Sequence, residues 1–376
     1  MKAKSTFSLK DQLFNADKIA YVAGLISEAY PEFAADKFQR ETVAAFPDLE
    51  LKERIAHISE QFHRHLPADF PTALNILIKA LPPELDPTKS DDDFGDFIFA
   101  PFSLFAATYG CSKTHLTTSL LGLKEITKRF SAEYAIRFFI NTFPDETFAY
   151  LEKWSKDDNY HVRRLNSEGT RPKLPWAQKL KIEYRRPLPL LDELYTDKTR
   201  FVTRSVANHL NDISKIDPEL VIKTIKRWQK SKKQSDKEMA FIAKHSLRTL
   251  VKKGHPGALE LLGFGGKPDI TVSKFETTTP VVKIGEAFEF SLAFTSKKQQ
   301  NLVVDYVMTF ASDNAKAGKK VFKIKELELN KGDDINLKKK HPMRLMTTRR
   351  LYTGTHQITL QVNGENFGSL EFELVT

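Results

Sequence analysis

A forty-residue internal repeat constrains the fold of this chain more than any other feature of its sequence. The segments that align without gaps are residues 159–169, 199–209 and 239–249. The same apolar position in the three segments holds Val162, Val202 and Ile242. A repeating unit of this length cannot bury its apolar face alone, so neighbouring units must stack on one another. The repeat therefore predicts a curved solenoid.

The spacing of apolar residues before residue 264 indicates paired helices as the repeating unit. In Ala73–Leu81 and in residues 49–66, apolar side chains recur three and four positions apart. Three more segments begin with a proline that an acidic side chain soon follows, which suits a first helical turn. These segments are residues 144–154, 189–195 and 218–228. A period near forty in paired helices is typical of HEAT-like repeats.

The pattern changes after residue 264, where β-branched and aromatic residues begin to alternate with polar ones. Asn363-Gly364 between two alternating runs is a strong hairpin signal. We expect about seven strands here, as in an immunoglobulin-like β-sandwich. The predicted fold is multidomain α + β, with an α-helical HEAT-like repeat solenoid and then the sandwich. The predicted domains are residues 1–264 and 268–376, joined by a Gly-rich linker over 263–268.

The charge distribution favours a polyanionic partner. The formal net charge is +10 at pH 7. Residues 101–264 carry 30 basic and 18 acidic side chains, whereas residues 1–100 carry 11 and 17. A basic middle third is the electrostatic footprint of a nucleic-acid-binding protein. An ordinary solvated basic surface would give the same composition, so this alternative stays open.

Other sequence features exclude several classes of protein. The single cysteine, Cys111, excludes a disulfide framework and a Cys-rich zinc site. The longest apolar run, residues 97–109, is interrupted by Pro101 and Ser103 and is too short for a membrane span. No secretory signal is visible at the start of the chain. We therefore expect a cytoplasmic protein that does not enter a membrane.

The repeat also aligns polar residues. One position holds Arg164, Arg204 and Lys244, and another holds Glu168, Asn208 and Arg248. A row of cations that points in one direction would follow a phosphate backbone. Alternatively, these cations could cap helices or pair with nearby acids such as Asp157, Asp197 and Glu238.

Two carboxylates are candidates for chemistry. Glu168 precedes Gly169 and a proline-containing stretch that ends near Trp176, so we expect it in an irregular loop. Glu133 follows Glu125 by eight residues, near two helical turns, so the two could share a face of one helix. The simpler alternatives are an exposed loop for Glu168, an acidic N-terminal helical turn for Glu133 and local ion pairs for Glu125.

Several segments together resemble the AlkC-type DNA glycosylases of the AlkD/AlkC superfamily of DNA alkylation repair enzymes. The resemblance covers essentially the whole chain, and the motif SEGTRPKLPWA is its most specific part. Some members of this family carry a C-terminal immunoglobulin-like domain. The segments that carry the resemblance are residues 51–77, 94–110, 123–140, 161–177 and 204–221.

The resemblance implies a monofunctional glycosylase that removes cationic alkylated bases, 3-methyladenine and 3-methylcytosine, from duplex DNA. It implies neither a metal nor an organic cofactor, and we expect a monomer. The implied catalytic carboxylates are Glu168, ranked first, then Glu133 and, more weakly, Asp212. The residues implied to flank the lesion are Arg164, Arg171 and Trp176. The repeat cations expected to contact DNA are Arg204, Lys244 and Arg248.

A basic segment within the predicted sandwich, residues 337–356, contains six cations and no acidic residue. We expect a loop between two strands that holds DNA. Its cations are Lys338, Lys339, Lys340, Arg344, Arg349 and Arg350. A solubilising loop is the simpler alternative. For the whole chain, the rival hypotheses are a non-catalytic DNA-binding scaffold and a solenoid that binds an acidic protein.

Overall fold

The structure is a computed structural model that describes residues 8–89, 91, 94–312, 318–345 and 350–376. The chain forms two compact units. One comprises the residues up to Ile213 together with Ser231–His245, and the other comprises Ser214–Lys230 together with Ser246–Thr376. A helical region is followed by a β-rich region, as the change of pattern near residue 264 predicts. The domain boundaries at 264 and 268 stay a prediction.

The described residues include fifteen α-helices. They are α1 Leu9–Leu13, α2 Ala16–Ala29, α3 Ala35–Ala44, α4 Leu51–His65, α5 Phe70–Lys79, α6 Ala100–Gly110, α7 Leu116–Thr127, α8 Ile136–Thr142, α9 Pro144–Trp154, α10 Tyr160–Gly169, α11 Leu188–Leu194, α12 Arg200–Ile213, α13 Pro218–Ser231, α14 Asp236–Lys252 and α15 Pro256–Leu261. Among them, none combines the length and the apolar character that a membrane span needs.

Local sequence signals account for where these helices begin. The three segments with an N-terminal proline form α9, α11 and α13, each with proline in its first turn. Helix α4 begins with a capping box, in which the side chains of Glu50 and Glu53 each accept a hydrogen bond from the other residue's backbone N–H. The equivalent repeat residues Val162, Val202 and Ile242 are fully buried on α10, α12 and α14. The HEAT-like class of the stack stays a prediction.

The β-rich region contains eight strands in the part that the structure describes. They are β1 Ile270–Thr277, β2 Val281–Lys283, β3 Ala287–Ser296, β4 Gln300–Thr309, β5 Lys319–Leu329, β6 Asp334–Pro342, β7 Gly354–Val362 and β8 Glu365–Val375. They form a three-stranded sheet in the order β1-β3-β6 and a five-stranded sheet in the order β2-β8-β7-β4-β5. Only β2 and β8 pair in parallel among these strands.

Aromatic contacts across the two sheets form the core of the sandwich. Every second residue of β3 is buried, which places Phe288 and Phe290 on its inner face. The ring of Phe288 stacks on Phe372 of β8 at a centroid distance of 4.0 Å, and Phe290 meets Tyr306 of β4 edge-on at 5.2 Å. The sandwich is therefore held by packing, as its lack of a cysteine pair requires.

The hairpin between β7 and β8 fastens the sandwich to the end of the helical region within the second unit. Its turn residues Asn363 and Gly364 have φ angles of 44° and 84°, which confirms the predicted turn. The Asn363 amide donates to the carbonyl of Phe264 at 3.1 Å. A Cβ atom on Gly254 would lie 2.6 Å from the Cα of Gly364, so two glycines are needed for this contact.

Candidate active site

A chain of alternating carboxylates and guanidinium groups lies in the first unit. Arg164 and Glu168 are one turn apart on α10, and Asp212 lies on α12. Glu133 comes from the turn before α8, and Arg171 follows the end of α10. The forty-residue repeat explains the meeting of α10 with α12, since equivalent helices of adjacent repeats pack together. Five of the six predicted catalytic and lesion-flanking residues are thus brought together.

Short contacts join these five residues into one chain, in the order Glu133, Arg164, Glu168, Arg171 and Asp212. Arg164 Nη1 lies 2.9 Å from Glu133 Oε2, and Arg164 Nη2 lies 3.6 Å from Glu168 Oε2. On its other side, Glu168 Oε1 accepts a hydrogen bond from Arg171 Nη1 at 2.5 Å. Arg171 Nη2 in turn lies 2.9 Å from Asp212 Oδ2. Each arginine is therefore shared between two carboxylates.

Exposure differs sharply among the three carboxylates. The side chains of Glu168 and Asp212 are 6% and 3% exposed, whereas that of Glu133 is 27% exposed. A buried carboxylate is stable only when its partners compensate for lost hydration. Glu168 has such partners on every side, because Ser205 Oγ also donates to its Oε2 at 2.6 Å. Glu133 alone of the three is accessible to a ligand.

The partners of Glu168 also fix its charge. Burial by itself raises the pKa of this carboxyl group. Arg164 and Arg171, with the hydrogen bonds from Ser205 and Arg171, more than offset the effect of burial and hold the pKa of Glu168 below its ordinary value. Glu168 is therefore an anion at neutral pH. Its negative charge orients two arginines.

An apolar cleft of about 380 Å³ opens beside Glu133. Its walls include Leu51, Ile55, Phe97, Phe130 and Leu174. Among the described residues that line it, the charged ones are Lys52, Glu133 and Arg164. Glu168 is not part of the lining. The cleft is thus an apolar space with one carboxylate and one guanidinium group at its polar end.

Trp176 also lines this cleft. Its side chain is 69% exposed, and its φ angle of 69° is unusual for a bulky residue. Lys52 Nζ donates to the Trp176 carbonyl at 2.7 Å and lies 5.6 Å from the centre of the indole ring. A strained backbone held by a specific contact is common at functional sites. The predicted role of Trp176 beside a lesion stays a prediction.

The structure corrects two expectations about the carboxylates. Glu168 is not in an irregular loop, because α10 continues through Gly169 and the irregular segment begins at Thr170. Glu125 and Glu133 do not share a helix, because α7 ends at Thr127. Glu125 instead forms the local ion pairs that were its simpler interpretation, with Lys128 and Arg129.

The repeat cations do not form one exposed row. Arg164 is 8% exposed and packs over the ring of Phe201 at 4.4 Å, because the first repeat meets the acidic turn that contains Glu133. Arg204 is half-buried and pairs with Asp91. Lys244 is exposed on α14, and Arg248 of the same helix is half-buried. The positions repeat in sequence, but their neighbours do not.

The basic segment is also different from the expected loop. Lys338, Lys339 and Lys340 lie in strand β6, an edge of the three-stranded sheet. They extend that sheet because their backbone pairs with β3, and Lys340 Nζ contacts Glu289 at 2.5 Å. Arg344 and Arg350 are exposed. Arg349 lies outside the described residues.

Several groups that shape the site carry no recognisable signal in the sequence. Ser205 and Ser131 donate to Glu168 and to Glu133, the latter at 2.8 Å. Phe94, at the cleft, is 51% exposed and lies beside the guanidinium of Arg164 at 5.7 Å. Serine and phenylalanine are too common for a single sequence to mark them. The fold brings Ser205 and Phe94 to the cluster, whereas Ser131 is only two residues away from Glu133.

A buried histidine near the cluster makes the stability of the folded protein depend on pH. His209 is fully buried, with Nδ1 3.0 Å from the Ser167 carbonyl, and burial lowers its pKa from 6.5 to about 4. Between these values the unfolded chain binds more protons than the folded one. Stability is therefore lost as pH falls from 6.5 towards 4, by up to about 3 kcal/mol from this residue.

We expect His209→Gln to reduce this acid-dependent loss. The measurement is the free energy of unfolding in denaturant at several pH values between 7 and 4. The wild type should lose stability more steeply than the variant over this interval. Parallel curves would contradict a neutral buried imidazole in the folded state.

Comparisons with known proteins agree with the two regions of the chain. Residues 129–249 match the family model "DNA alkylation repair enzyme", and residues 271–376 match "Uncharacterised protein YhaZ, C-terminal Ig-like domain". YhaZ of Bacillus subtilis (strain 168) is 31% identical over 96% of this chain and 98% of its own length. A solved structure of the Pseudomonas fluorescens alkylpurine DNA glycosylase AlkC, bound to DNA with an abasic site analogue, superposes with a TM-score of 0.88. It is 35% identical, and the match covers 98% of this chain and all of that one.

Proposed function

The chain belongs to the AlkC-type family of DNA alkylation repair proteins, and from this premise we propose that it is a DNA glycosylase acting on alkylated bases in duplex DNA. Its substrates would be cationic bases, 3-methyladenine and 3-methylcytosine. Hydrolysis of the N-glycosidic bond would release the free base and leave an abasic site, without a lyase step. We further propose that it acts as a monomer in the cytoplasm and without a cofactor.

One observation carries this proposal, which is the partly exposed carboxylate of Glu133 at the polar end of an apolar cleft. Ser131 and Arg164 donate hydrogen bonds to its Oε2 and fix its orientation. A preorganised anion in an apolar surrounding interacts strongly with positive charge that develops in a reaction. Because Glu168 is buried and neutralised by two arginines, we rank Glu133 above it as the group closest to the reacting sugar.

The chemistry fits an alkylated base. A base methylated at N3 already carries a positive charge and is a good leaving group, and departure of the base builds oxocarbenium character on the sugar. A carboxylate near the anomeric carbon stabilises this cation and orients the attacking water. The face of Trp176 would add cation–π attraction to the charged base.

The other members of the cluster would fix the position of the Glu133 carboxylate. Glu168 and Asp212 hold Arg171, and Glu168 also faces Arg164, which is the arginine that contacts Glu133. A fixed Arg164 would hold the Glu133 carboxylate in one orientation. Asp212, which is buried, would therefore act through Arg171 rather than on the substrate.

Base release from methylated DNA tests the proposed function. Purified protein would be incubated with duplex DNA treated with a methylating agent, and released bases would be separated by chromatography. We expect 3-methyladenine and 3-methylcytosine in the soluble fraction and no release from untreated DNA. Tight binding to the methylated duplex without any base release would instead support the non-catalytic scaffold.

Salt dependence tests whether the basic segment 337–356 contacts DNA. In the variant Lys338→Gln, Lys340→Gln, Arg350→Gln, the slope of log K against log salt should fall by about one unit for each phosphate that the protein no longer binds. The matched control is Lys319→Gln, Lys323→Gln, Lys325→Gln on β5, the edge of the other sheet. Equal slopes for the two triple variants would mean that the basic segment has no special role in DNA binding.

A further inference from the structure

A buried arginine on α8 holds the segment that follows α10. Arg137 is only 1% exposed. Its guanidinium group donates hydrogen bonds to three backbone carbonyls. Its Nη1 donates to Gly169 O at 3.0 Å and to Arg171 O at 2.8 Å, and its Nε donates to Gln178 O at 2.7 Å. One guanidinium group thus joins the end of α10 and two points of the irregular segment that follows it to one helix.

A second side chain extends this attachment by one turn of α8. Asn141 Nδ2 donates to Lys179 O at 2.9 Å, and its Oδ1 accepts from Lys181 N at 2.9 Å. Residues four apart lie on the same face of a helix. The face of α8 that contains Arg137 and Asn141 is therefore a support for residues 169–181, to which Arg171 and Trp176 belong.

The absence of a side chain at Gly169 lets the end of α10 approach α8 closely. A Cβ atom at this position would lie 2.5 Å from Cγ2 of Ile136, a fully buried residue at the start of α8. Only a glycine lets the end of α10 approach α8 closely enough for its carbonyl to reach Arg137. Two consecutive residues thus have different roles. Glu168 supplies a carboxylate of the cluster, and Gly169 makes the contact with Arg137 that positions the following segment.

The position of Arg137 is electrostatically unfavourable. Burial and then the nearby charge of Arg171 lower the pKa of Arg137 to about 10, while Glu133 and Asp212 act in the opposite direction. Arg137 therefore stays protonated at neutral pH. A buried cation that sits beside another cation needs strong compensation, and its three carbonyl acceptors supply that compensation.

We propose that Arg137 is a positioning residue that sets where Arg171 and Trp176 stand relative to the carboxylate cluster. Its guanidinium group does not touch the cleft, so it acts through the segment that it holds. Loss of its hydrogen bonds would release residues 170–178 from α8. Arg171 would then no longer hold Glu168 and Asp212 in one geometry.

The test compares Arg137→Gln and Arg137→Lys with Arg54→Gln. Arg54 is a matched control because it is also buried, at 4% exposure, and donates to the carbonyls of Phe14 and Phe46 at 2.7 and 2.8 Å. Hydrogen exchange measured by mass spectrometry should show faster exchange within 170–181 in Arg137→Gln. In Arg54→Gln the faster exchange should be confined to the segments that Arg54 holds.

The second measurement rests on the proposed function. Single-turnover excision by Arg137→Gln should fall by about 10²-fold, because small displacements of catalytic groups are costly, while affinity for methylated duplex stays close to that of wild type. Arg137→Lys should recover part of the rate. Arg54→Gln should excise at nearly the wild-type rate.

Each outcome has a distinct meaning. Unchanged exchange within 170–181 in Arg137→Gln would overturn the proposal, and so would faster exchange with an unchanged excision rate. If Arg137→Gln does not fold, Gly169→Ala gives the same readings, since it keeps the arginine and displaces its acceptor. If the wild type excises no base, the proposed function fails, whereas the exchange experiment still decides whether Arg137 holds the segment.

Discussion

Glu133→Gln is expected to slow base release from methylated DNA by about 10²–10³-fold while leaving the fold and the affinity for duplex DNA nearly unchanged. The substitution removes the negative charge at the polar end of the cleft and keeps the shape of the side chain. Loss of one preorganised electrostatic interaction with a transition state costs about 10²–10³-fold in rate. The measurement is single-turnover excision with enzyme in excess over a duplex that contains one methylated base.

Glu125→Gln is the matched control for this prediction. Glu125 lies on α7, also on the protein surface, and its carboxylate forms local ion pairs with Lys128 and Arg129, away from the cleft. The control should excise bases at the wild-type rate. A Glu133→Gln protein that is as active as this control would remove Glu133 from the mechanism.

Glu168→Gln should have its largest effect on stability. Glu168 is the carboxylate that both Arg164 and Arg171 contact, so its neutralisation leaves two buried cations with one partner fewer each. Breaking a buried ion pair by removing one partner costs about 3–5 kcal/mol. The free energy of unfolding in denaturant would show this loss. An exposed pair such as Arg64 and Glu60 supplies the comparison, and Glu60→Gln should have little effect.

The pH dependence of this effect follows from the direction of the pKa shift. The pKa of Glu168 is lower in the folded protein than its ordinary value of 4.5. Its stabilising contribution is therefore complete above pH 4.5 and disappears as the pH falls through the lowered value. The difference between wild type and Glu168→Gln should shrink in acid. A difference that stays constant down to that range would mean that the charge of Glu168 is not what stabilises the cluster.

The architecture could be predicted from the sequence because it depends on repeated patterns. The forty-residue period places equivalent apolar residues at buried positions of α10, α12 and α14, and Asn363-Gly364 marks a hairpin by its backbone preference alone. Strand β2 has only three residues, and β6 is rich in lysine, so neither stands out as a strand in the sequence. Both form because a neighbouring strand supplies their hydrogen bonds.

The site is harder to predict because it depends on which groups meet across the fold. The sequence indicates the residue types of the cluster, but it does not indicate that Glu133 is partly exposed and Glu168 buried. Exposure of a carboxylate is set by residues distant in sequence, here by Ser205 and by the segment that Arg137 holds. No local pattern contains that information. The same reason explains why Arg164, although in register with Arg204, does not share its surroundings.

The parallel pairing of β2 with β8 has a consequence for how the sandwich is made during protein synthesis. Val281 to Lys283 leave the ribosome about ninety residues before their partners Glu373 to Val375. Until β8 exists, β2 has no strand to pair with, and β7 lacks one of its two neighbours in the five-stranded sheet. This pairing between distant parts of the chain makes completion of the sheet a late and slow event. Newly made chains would thus have unpaired strand edges until β8 is synthesised, and these edges would be available for chaperones to bind.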